Sequence, residues 1–269
     1  MMNNFSSFHI PKTIFYITMP QHIFGFLTGI YLILFRNVSW MWLLVSYISW
    51  ICLGVIGIGI FYHKYFAHRS FSTFKPIEII GAYLGAMAGL GSPIGWVALH
   101  NDHHHRYADR GPLDVHSPKR GMFTSYVGWQ FQKFDLRIQS AKQLLRNPFL
   151  KFLGHYYYQI YWLTAFLLFL ISPLVPVFVL FLPGFMHYHV ESFLSCFCHV
   201  RRHGYRNFET NDDSVNILWF GILTWGAGFH NNHHGQINAK HYQVKPYEID
   251  LSRLIIFLIP KKNTKLNQS

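Results

Sequence analysis

The chain has 269 residues, of which 51% are hydrophobic and 19% aromatic but only 13% charged. Soluble domains usually carry about 25% charged residues, so this composition argues against a soluble enzyme and indicates a membrane protein. The net charge of +12 could indicate nucleic-acid binding, but the cations flank long apolar segments, as they do in the loops beside membrane helices. We therefore expect membrane lipid, and not nucleic acid, around this chain.

Four segments are predicted to cross the membrane, since a spanning helix needs about 20 largely apolar residues. Residues 14–35 and 40–61 are separated by the short turn RNVS. Residues 156–172 and 174–197 are separated at Pro173, which cannot continue a helix interior. The pattern predicts two transmembrane hairpins.

Residues 77–99 are also apolar, but they are rich in glycine and contain Pro93. They lie between two histidine-rich segments that must be on the same side of the membrane if they form one site. We therefore predict an apolar helix that dips into the cytoplasmic face or lies on it. No cleavable signal peptide is expected, because the first eleven residues contain no cation.

The distribution of cations predicts the orientation. Of the 23 Lys and Arg residues, 21 lie between Lys64 and Lys151 or between Arg201 and Lys265. The positive-inside rule then places both termini in the cytoplasm. The expected fold is an all-α integral membrane protein, a single domain over residues 1–269. Four transmembrane helices in two hairpins would carry a cytoplasmic helical cap with a di-metal site, formed by residues 62–155 and 198–269.

Three histidine clusters lie next to the predicted spans. HKYFAH contains His63 and His68, HNDHHH contains His100, His103, His104 and His105, and HNNHH contains His230, His233 and His234. Histidines at i, i+3 and i+4 share one face of a helix, and neutral imidazole is the commonest protein metal ligand. Even without His105, the other eight imidazoles exceed the demand of one four-coordinate zinc and fit two ions better. The ligand type alone leaves iron, copper, zinc and nickel open.

The three clusters and their flanks resemble those of the membrane fatty acid desaturases, within them the acyl-CoA and acyl-lipid delta-9 type. HKYFAHRSF resembles the family's HxxxxH box, and HNDHH and HNNHH resemble its two HxxHH boxes. SPKRGMFTSYVGW and GYRNFETNDDSVN extend the similarity over roughly residues 40–250. The resemblance implies the introduction of a cis double bond into a saturated acyl chain, with delta-9 as the expected position.

The resemblance also implies a non-haem di-iron centre that uses dioxygen. Its ligands would be His63, His68, His100, His103, His104, His199, His230, His233 and His234. Two alternatives stay open. His105 could replace His103, or it could hydrogen-bond to the ligands without binding metal. His203 could replace His199. The chain departs from the family pattern at Ser195, usually asparagine, at Tyr126, usually histidine, and at Ala227, usually an acid.

Several residues around the boxes could support the ligands or bind substrate. Asn231, Asn232 and Asp102 could hold the ring nitrogens that do not bind metal, or simply fill the polar cap. Trp129 could line an acyl tunnel or pack as an ordinary aromatic residue. Cations, among them Arg110, Arg120 and Arg206, could face a phosphate-bearing acyl carrier or anionic lipid headgroups.

The expected partners are membrane lipid, a fatty acyl substrate linked to coenzyme A or a lipid, and a separate electron donor. The donor is expected to be a separate protein, because the sequence contains no HPGG segment of the kind found in cytochrome b5. It would be a ferredoxin or a cytochrome b5. A di-iron membrane hydroxylase or monooxygenase is the alternative enzyme, although the flanks HRSF and ETNDDS favour desaturation. A non-enzymatic membrane metal-binding protein is the other alternative, and a zinc hydrolase is disfavoured because HExxH is absent.

Overall fold

The structure is a computed structural model that describes residues 13–132, 134 and 136–261, apart from the side chain of His103. Within these ranges the regular elements are helices, and β-type pairing is limited to isolated bridges of Asn216 with Tyr205 and Phe229. The main helices are α1 Ile14–Phe35, α2 Met41–Ala67, α3 Lys75–Met87, α4 Pro93–Leu99, α5 His100–Arg106, α6 Met122–Tyr126, α7 Pro148–His155, α8 Tyr157–Ile171, α9 Leu174–Phe197, α10 Leu218–Leu223, α11 His230–Gly235 and α12 Ser252–Leu258.

Three of the described helices, α1, α2 and α9, are long and apolar enough to cross a membrane. They correspond to the predicted segments 14–35, 40–61 and 174–197, and α2 continues past its predicted end into the first histidine box. The predicted third span is α8, an apolar helix of only 15 residues. Because a crossing needs about 20 residues, α8 by itself is short, and the fourth span stays a prediction.

The segment 77–99 forms two helices and not one. Between α3 and α4 the chain turns at Gly89 and Gly91, whose φ angles of +87° and +117° are accessible to glycine without strain. Neither helix has the length of a membrane span. The turn brings α4 and α5 back over the end of α2, where the first histidine box lies.

Helix α3 packs directly on α2 at glycine residues. A Cβ at Gly57 of α2 would lie 2.4 Å from the backbone nitrogen of Gly85 in α3, so the two backbones touch there. Small residues at membrane helix interfaces allow such close approach. The contact holds α3 against the half of α2 that leads to the histidines.

Gln21 connects the amino-terminal span to the rest of the bundle. This fully buried side chain donates hydrogen bonds from Nε2 to the carbonyl of Ala88, at 3.1 Å, and to the Tyr161 hydroxyl, at 3.0 Å. The outer ends of α1 and α8 are apolar and exposed: Phe35 is 70% and Ile171 74% exposed. An apolar surface of this kind is stable against lipid chains, so the chain is a membrane protein.

Candidate metal centre

Among the described residues, nine histidines from four parts of the chain form two groups at the ends of α2 and α9. The first group is His63, His68, His100, His105 and His233, and the second is His104, His199, His230 and His234. Within each group the candidate ligand nitrogens all lie within 4.8 Å of one another. Helices α5 and α11 contribute to both groups, so the two groups are adjacent.

The spacing of the ring nitrogens fits a metal ligand shell. An imidazole nitrogen binds a metal at about 2.0–2.1 Å, so two ligands at a right angle lie about 3.0 Å apart. The Nε2–Nε2 distance is 2.9 Å for His68 and His100, 3.0 Å for His105 and His233, and 3.1 Å for His104 and His230. The donor set therefore has the geometry that a bound ion requires.

Hydrogen bonding between the rings does not explain this convergence. The Nε2 atom of His100 lies 2.9 Å from Nε2 of both His68 and His105. A ring nitrogen carries either one proton or one lone pair, so it cannot make two good hydrogen bonds with other ring nitrogens. Several nitrogens aimed at one point are better explained as ligands of a shared cation.

Wide helical turns decide which histidines of the second box meet. Helix α5 is a π-helix, in which residues five apart in sequence share a face, and His100 and His105 enter the same group. The same geometry brings His68 beside His63, since the His68 backbone N–H donates to the His63 carbonyl at 3.1 Å. The spacing of regular α-helical turns, on which the sequence argument relied, does not apply here.

The structure brings together eight of the nine predicted ligands and adds His105 to them. The side chain of His103 lies outside the part of the structure that is described, so its predicted role stays a prediction. His203, the alternative to His199, turns away: its Nδ1 donates to the Phe197 carbonyl at 3.2 Å. His199 is the histidine that joins the second group.

The outward-facing Nδ1 atoms of three histidines are held by residues that sequence reasoning did not select. His199 Nδ1 donates to Asp109 Oδ2 at 2.7 Å, and His234 Nδ1 donates to Asp212 Oδ2 at 2.8 Å. The Tyr242 hydroxyl lies 2.8 Å from His63 Nδ1. Such partners fix the tautomer, so that Nε2 presents its lone pair to a metal.

Electrostatics keep most of the described rings neutral and ready to bind a cation. Burial, together with the neighbouring His234 and Lys64, lowers the pKa of His68 to about 3. Burial, followed by neighbouring histidines, also lowers the pKa well below its ordinary value in His100, His104, His105, His230 and His233. His199 is the exception: burial lowers its pKa, but the hydrogen bond to Asp109 and the charges of Asp109, Asp114 and Asp212 together outweigh burial and raise it.

Among the described residues, the two asparagines of the third box form hydrogen bonds with groups other than the histidine rings. Asn231 Oδ1 accepts from the backbone N–H groups of Asn207 and Phe208. Asn232 Nδ2 donates to the Tyr242 carbonyl and to Glu248 Oε2, both at 2.8 Å. The asparagines therefore fasten α11 to the loops around it.

Asp102 and the proposed carrier-binding arginines have varied environments. Asp102 is buried and lies 3.8 Å from both Arg106 and Arg137. Arg110 is exposed, as the expectation of a cationic surface requires. Arg120 is bound within its own loop, to the Val115 carbonyl and to Gln132.

Arg206 faces inward, contrary to the expectation that it meets an acyl carrier. Its guanidinium donates to the carbonyls of Asp212, Thr210 and Ser214, and its side chain is only 12% exposed. Arg206 therefore shapes the loop that carries Asp212, and through Asp212 it acts on His234.

One cavity extends from the histidines along α2 and α9. It contains about 1260 Å³ of empty space, including its open mouth. His63, His100, His104 and His230 line it, together with Trp96, Trp129, Val55 and Leu99 among others. Trp129 therefore lies where the tunnel was expected. Cavities that are mostly apolar with a few polar groups are typical of small-molecule sites.

Comparison with known proteins decides the family. The family model described as fatty acid desaturase matches residues 39–248, more than half of the chain. The chain belongs to the fatty acid desaturase family. The match confirms the resemblance of the histidine boxes, and it places the chain among oxidoreductases.

Characterised desaturases are similar over most of this family member. A delta-9 acyl-lipid desaturase of Arabidopsis thaliana is 33% identical over 228 residues, which cover 82% of this chain and 72% of the relative. An sn-2 palmitoyl-lipid 9-desaturase of Nostoc sp. is 33% identical, covering 80% and 76%. An acyl-CoA 5-desaturase of Anemone leveillei is 31% identical, covering 82% and 70%.

Two of the three departures from the desaturase pattern lie at the cavity. Ser195 and Ala227 line it, and Tyr126 donates or accepts a hydrogen bond with His189 Nδ1 at 2.8 Å. Asp109, Asp212 and Tyr242 were missed because their ring partners are distant in sequence. The one local signal was an acid shortly after or before a histidine box, in HRYAD and ETNDD.

Proposed function

We propose that this chain is a membrane fatty acyl desaturase that introduces a cis double bond into a saturated acyl chain, with delta-9 as the expected position. The observation that carries the proposal is that members of both histidine groups line one apolar cavity. His63 and His100 come from the first group, and His104 and His230 from the second. An acyl chain in this cavity lies beside both candidate metal positions.

The donor set fits a pair of iron ions. All nine candidate donors are imidazoles, which iron accepts, and removing hydrogen from a methylene group needs an oxidant that no side chain provides. Two bound irons would supply that oxidant by activating dioxygen with two electrons. The residues that would hold them are His63, His68, His100, His105 and His233 for one ion and His104, His199, His230 and His234 for the other.

The remaining residues of the site orient the rings and exclude water. Asp109 and Asp212 keep the protons of His199 and His234 on Nδ1, and the Trp96 ring stacks on His100 with centroids 4.8 Å apart. The apolar wall of the cavity, with Val55 and Leu99, holds the acyl chain and keeps bulk water from the reacting carbons.

The relatives support an acyl substrate carried by a lipid or by coenzyme A, since both carriers occur in their names. Their names also include positions 9 and 5, so delta-9 remains part of the proposal. The electrons would come from a separate ferredoxin or cytochrome b5. We place the histidine groups, both termini and the exposed Arg110 in the cytoplasm, where such a donor can approach the cationic cap.

The fatty acid profile of a desaturase-deficient host that expresses the chain, with added iron, tests the proposal. Gas chromatography with mass spectrometry should detect a new monounsaturated acid and locate its double bond. A His233→Ala variant, inserted in the membrane to the same level, should produce none and retain less iron. A hydroxylated acid in place of the unsaturated one would overturn desaturation and assign the chain to the membrane hydroxylases.

A further inference from the structure

The polar side chains that line the cavity include three that are not candidate metal ligands and that lie close together. Trp50 lies on α2, and His187 and Glu191 lie on α9. Both helices have the length and composition of membrane spans. Polar and ionisable residues inside spans are unfavourable unless they are paired or functional, so these three need an explanation.

The hydrogen-bonding groups of Trp50 and His187 are unused among the described residues. Trp50 and His187 are each only 4% exposed, yet Trp50 Nε1 and both ring nitrogens of His187 have no hydrogen-bond partner there. His187 Nε2 lies 3.4 Å from Glu191 Oε1, beyond the usual length of about 2.9 Å for a good hydrogen bond. Buried polar groups without partners are rare, and a bound ligand would satisfy them.

Packing holds the His187 ring in this position. A Cβ at Gly54 would lie 2.4 Å from His187 Nδ1, so the glycine of α2 provides the space that the ring occupies. The Trp50 ring lies beside it, with centroids 6.4 Å apart. The two side chains are therefore positioned by the packing of the His187 ring against the backbone of α2, and both lie on helices and not on a loop.

The polar side chains lie at a defined depth from the histidine groups. Glu191 and His187 lie on α9, eight and twelve residues before His199, which follows the end of that helix. At a rise of about 1.5 Å per residue, they lie roughly 12 and 18 Å along the helix from His199. An acyl chain with its reacting carbons at the histidines would reach them with a more distal part.

We propose that the preferred acyl chain carries a hydroxyl group beyond its reacting carbons, and that Trp50, His187 and Glu191 bind this group. The inference rests on the proposed function for the identity of the ligand as an acyl chain. A hydroxyl is neutral, so it enters an apolar cavity more easily than an ion does. It can accept from the Trp50 N–H and donate to His187 or Glu191 in the same pose.

An unsubstituted chain would fill the same space and leave these groups unpaired. Sites built to hydrogen-bond a substrate hydroxyl discriminate strongly against the analogue that lacks it, because their buried polar groups then lose both water and partner. Each net hydrogen bond corresponds to about 2- to 10-fold in affinity. We expect a preference of about tenfold for the hydroxylated chain.

Binding to the purified full-length protein in detergent tests this proposal. The probes are octadecanoic acid, its hydroxylated isomers with the hydroxyl at successive positions of the distal half, and an amino-substituted analogue. Each competes with a fluorescent fatty acid, so no turnover is needed. At least one hydroxy isomer should bind about tenfold more tightly than octadecanoic acid.

Three substitutions test whether these residues cause the preference for the hydroxylated chain. Trp50→Phe, Glu191→Gln and His187→Leu should each reduce it to about threefold or less, whereas Trp219→Phe, at a 56% exposed tryptophan outside the cavity, should leave it unchanged. Trp50→Phe and Glu191→Gln keep most of the native volume, so they test the site even if His187→Leu fails to fold.

Equal binding of all isomers, tighter binding of the amino analogue, or a preference that survives all three substitutions would overturn the proposal. The result is separable from the proposed function, because ligand preference is measured without product formation. A chain that binds the hydroxy acid but makes no unsaturated product in the host refutes desaturation alone. A chain that desaturates plain acids with no hydroxyl preference refutes the present inference alone.

Discussion

At the scale of single residues, His105 distinguishes the structural ligand set from the one predicted by sequence. The Nε2 atom of His105 lies 2.9 Å from that of His100 and 3.0 Å from that of His233. Removing the His105 imidazole would therefore take one candidate ligand from the first group. We expect His105→Ala to lose most bound iron and to lower desaturase activity by more than about 100-fold. Iron per protein, measured by mass spectrometry, and product yield check this.

The matched variants for His105 are His103→Ala and His241→Ala. His241 is exposed and bonds within its own loop, so its loss should have no effect. His103→Ala should retain iron and activity if His105 is the ligand. Loss of iron in His103→Ala, with normal iron in His105→Ala, would restore the original assignment.

Tyr242 provides a test of the residues that hydrogen-bond to the candidate ligands. Its hydroxyl contacts His63 Nδ1 at 2.8 Å, and the Lys64 ammonium lies 3.6 Å from the centre of its ring. Partners of this kind typically contribute about 10- to 100-fold to metal affinity. Tyr242→Phe should therefore release iron at a correspondingly lower chelator concentration, while Tyr247→Phe, at a 54% exposed tyrosine, should behave as wild type. Identical release from both variants would remove Tyr242 from the site.

The buried carboxyl group of Asp114 should make the free energy of unfolding depend on pH. Burial raises its pKa to about 6 from 3.8, although hydrogen bonds from the backbone N–H groups of Asp109 and His116 oppose the change. Because the folded pKa lies above the unfolded one, ionised Asp114 destabilises the fold above pH 6. This destabilisation is relieved as the pH falls from 6 towards 3.8.

The variant Asp114→Asn remains neutral and isolates this effect. Its melting temperature relative to wild type should be highest near pH 7.5, where ionisation of Asp114 costs wild type up to about 3 kcal/mol. The advantage should shrink on acidification to about pH 4.5. Thermal unfolding of both proteins in the same detergent measures the difference, and a difference that does not change with pH contradicts the raised pKa.

At the scale of elements, the contact between α2 and α3 depends on the absence of a side chain at Gly57. A Cβ there would lie 2.4 Å from a backbone nitrogen of α3, which cannot rotate away. Gly57→Ala should destabilise the protein by about 1–3 kcal/mol, seen as a lower melting temperature in detergent. Gly59 on the same helix is the control, because its Cβ would meet nothing closer than 3.8 Å. Equal melting temperatures of the two variants would mean that the helices separate without cost.

The elements also show what sequence patterns can and cannot predict. The apolar runs of α1, α2 and α9 were apparent because spanning length is a local property. The π-helical turns of α5 could not be predicted from the sequence, since the spacing in HNDHHH fits a regular α-helix equally well. Only the neighbouring helices decide that His105 turns towards His233.

The same limit applies to the residues that support the ligands. Tyr242 is 179 positions from His63, and Asp109 is 90 positions from His199. Such pairs depend on how the cap folds over the ends of α2 and α9, and no local spacing encodes them. The histidine boxes themselves were identifiable because their ligands are close in sequence and chemically unusual in a membrane protein.

At the scale of the whole molecule, the candidate metal centre constrains the topology. Helix α2 carries His63 near its end at Ala67, and helix α9 ends at Phe197, two residues before His199, so both helices run towards the same site. The chain must therefore return to the opposite membrane face between them. Helix α8 alone spans about 22 Å, less than the hydrocarbon thickness of about 30 Å, and α7 precedes it almost without interruption. We expect α7 and α8 together to make the fourth crossing.

Labelling with a membrane-impermeant maleimide tests this topology in intact cells. Asn37→Cys, between α1 and α2, and Ser172→Cys, between α8 and α9, should label from outside, whereas Arg201→Cys, after α9, should label only once the membrane is permeabilised. Unmodified protein gives the background, because Cys196 and Cys198 are buried and the half-buried Cys52 lies within α2. If Ser172→Cys and Arg201→Cys label from the same side, α9 does not cross between them. If Arg201→Cys labels from outside and Ser172→Cys does not, the four-helix arrangement stands but the histidine groups face away from the cytoplasm.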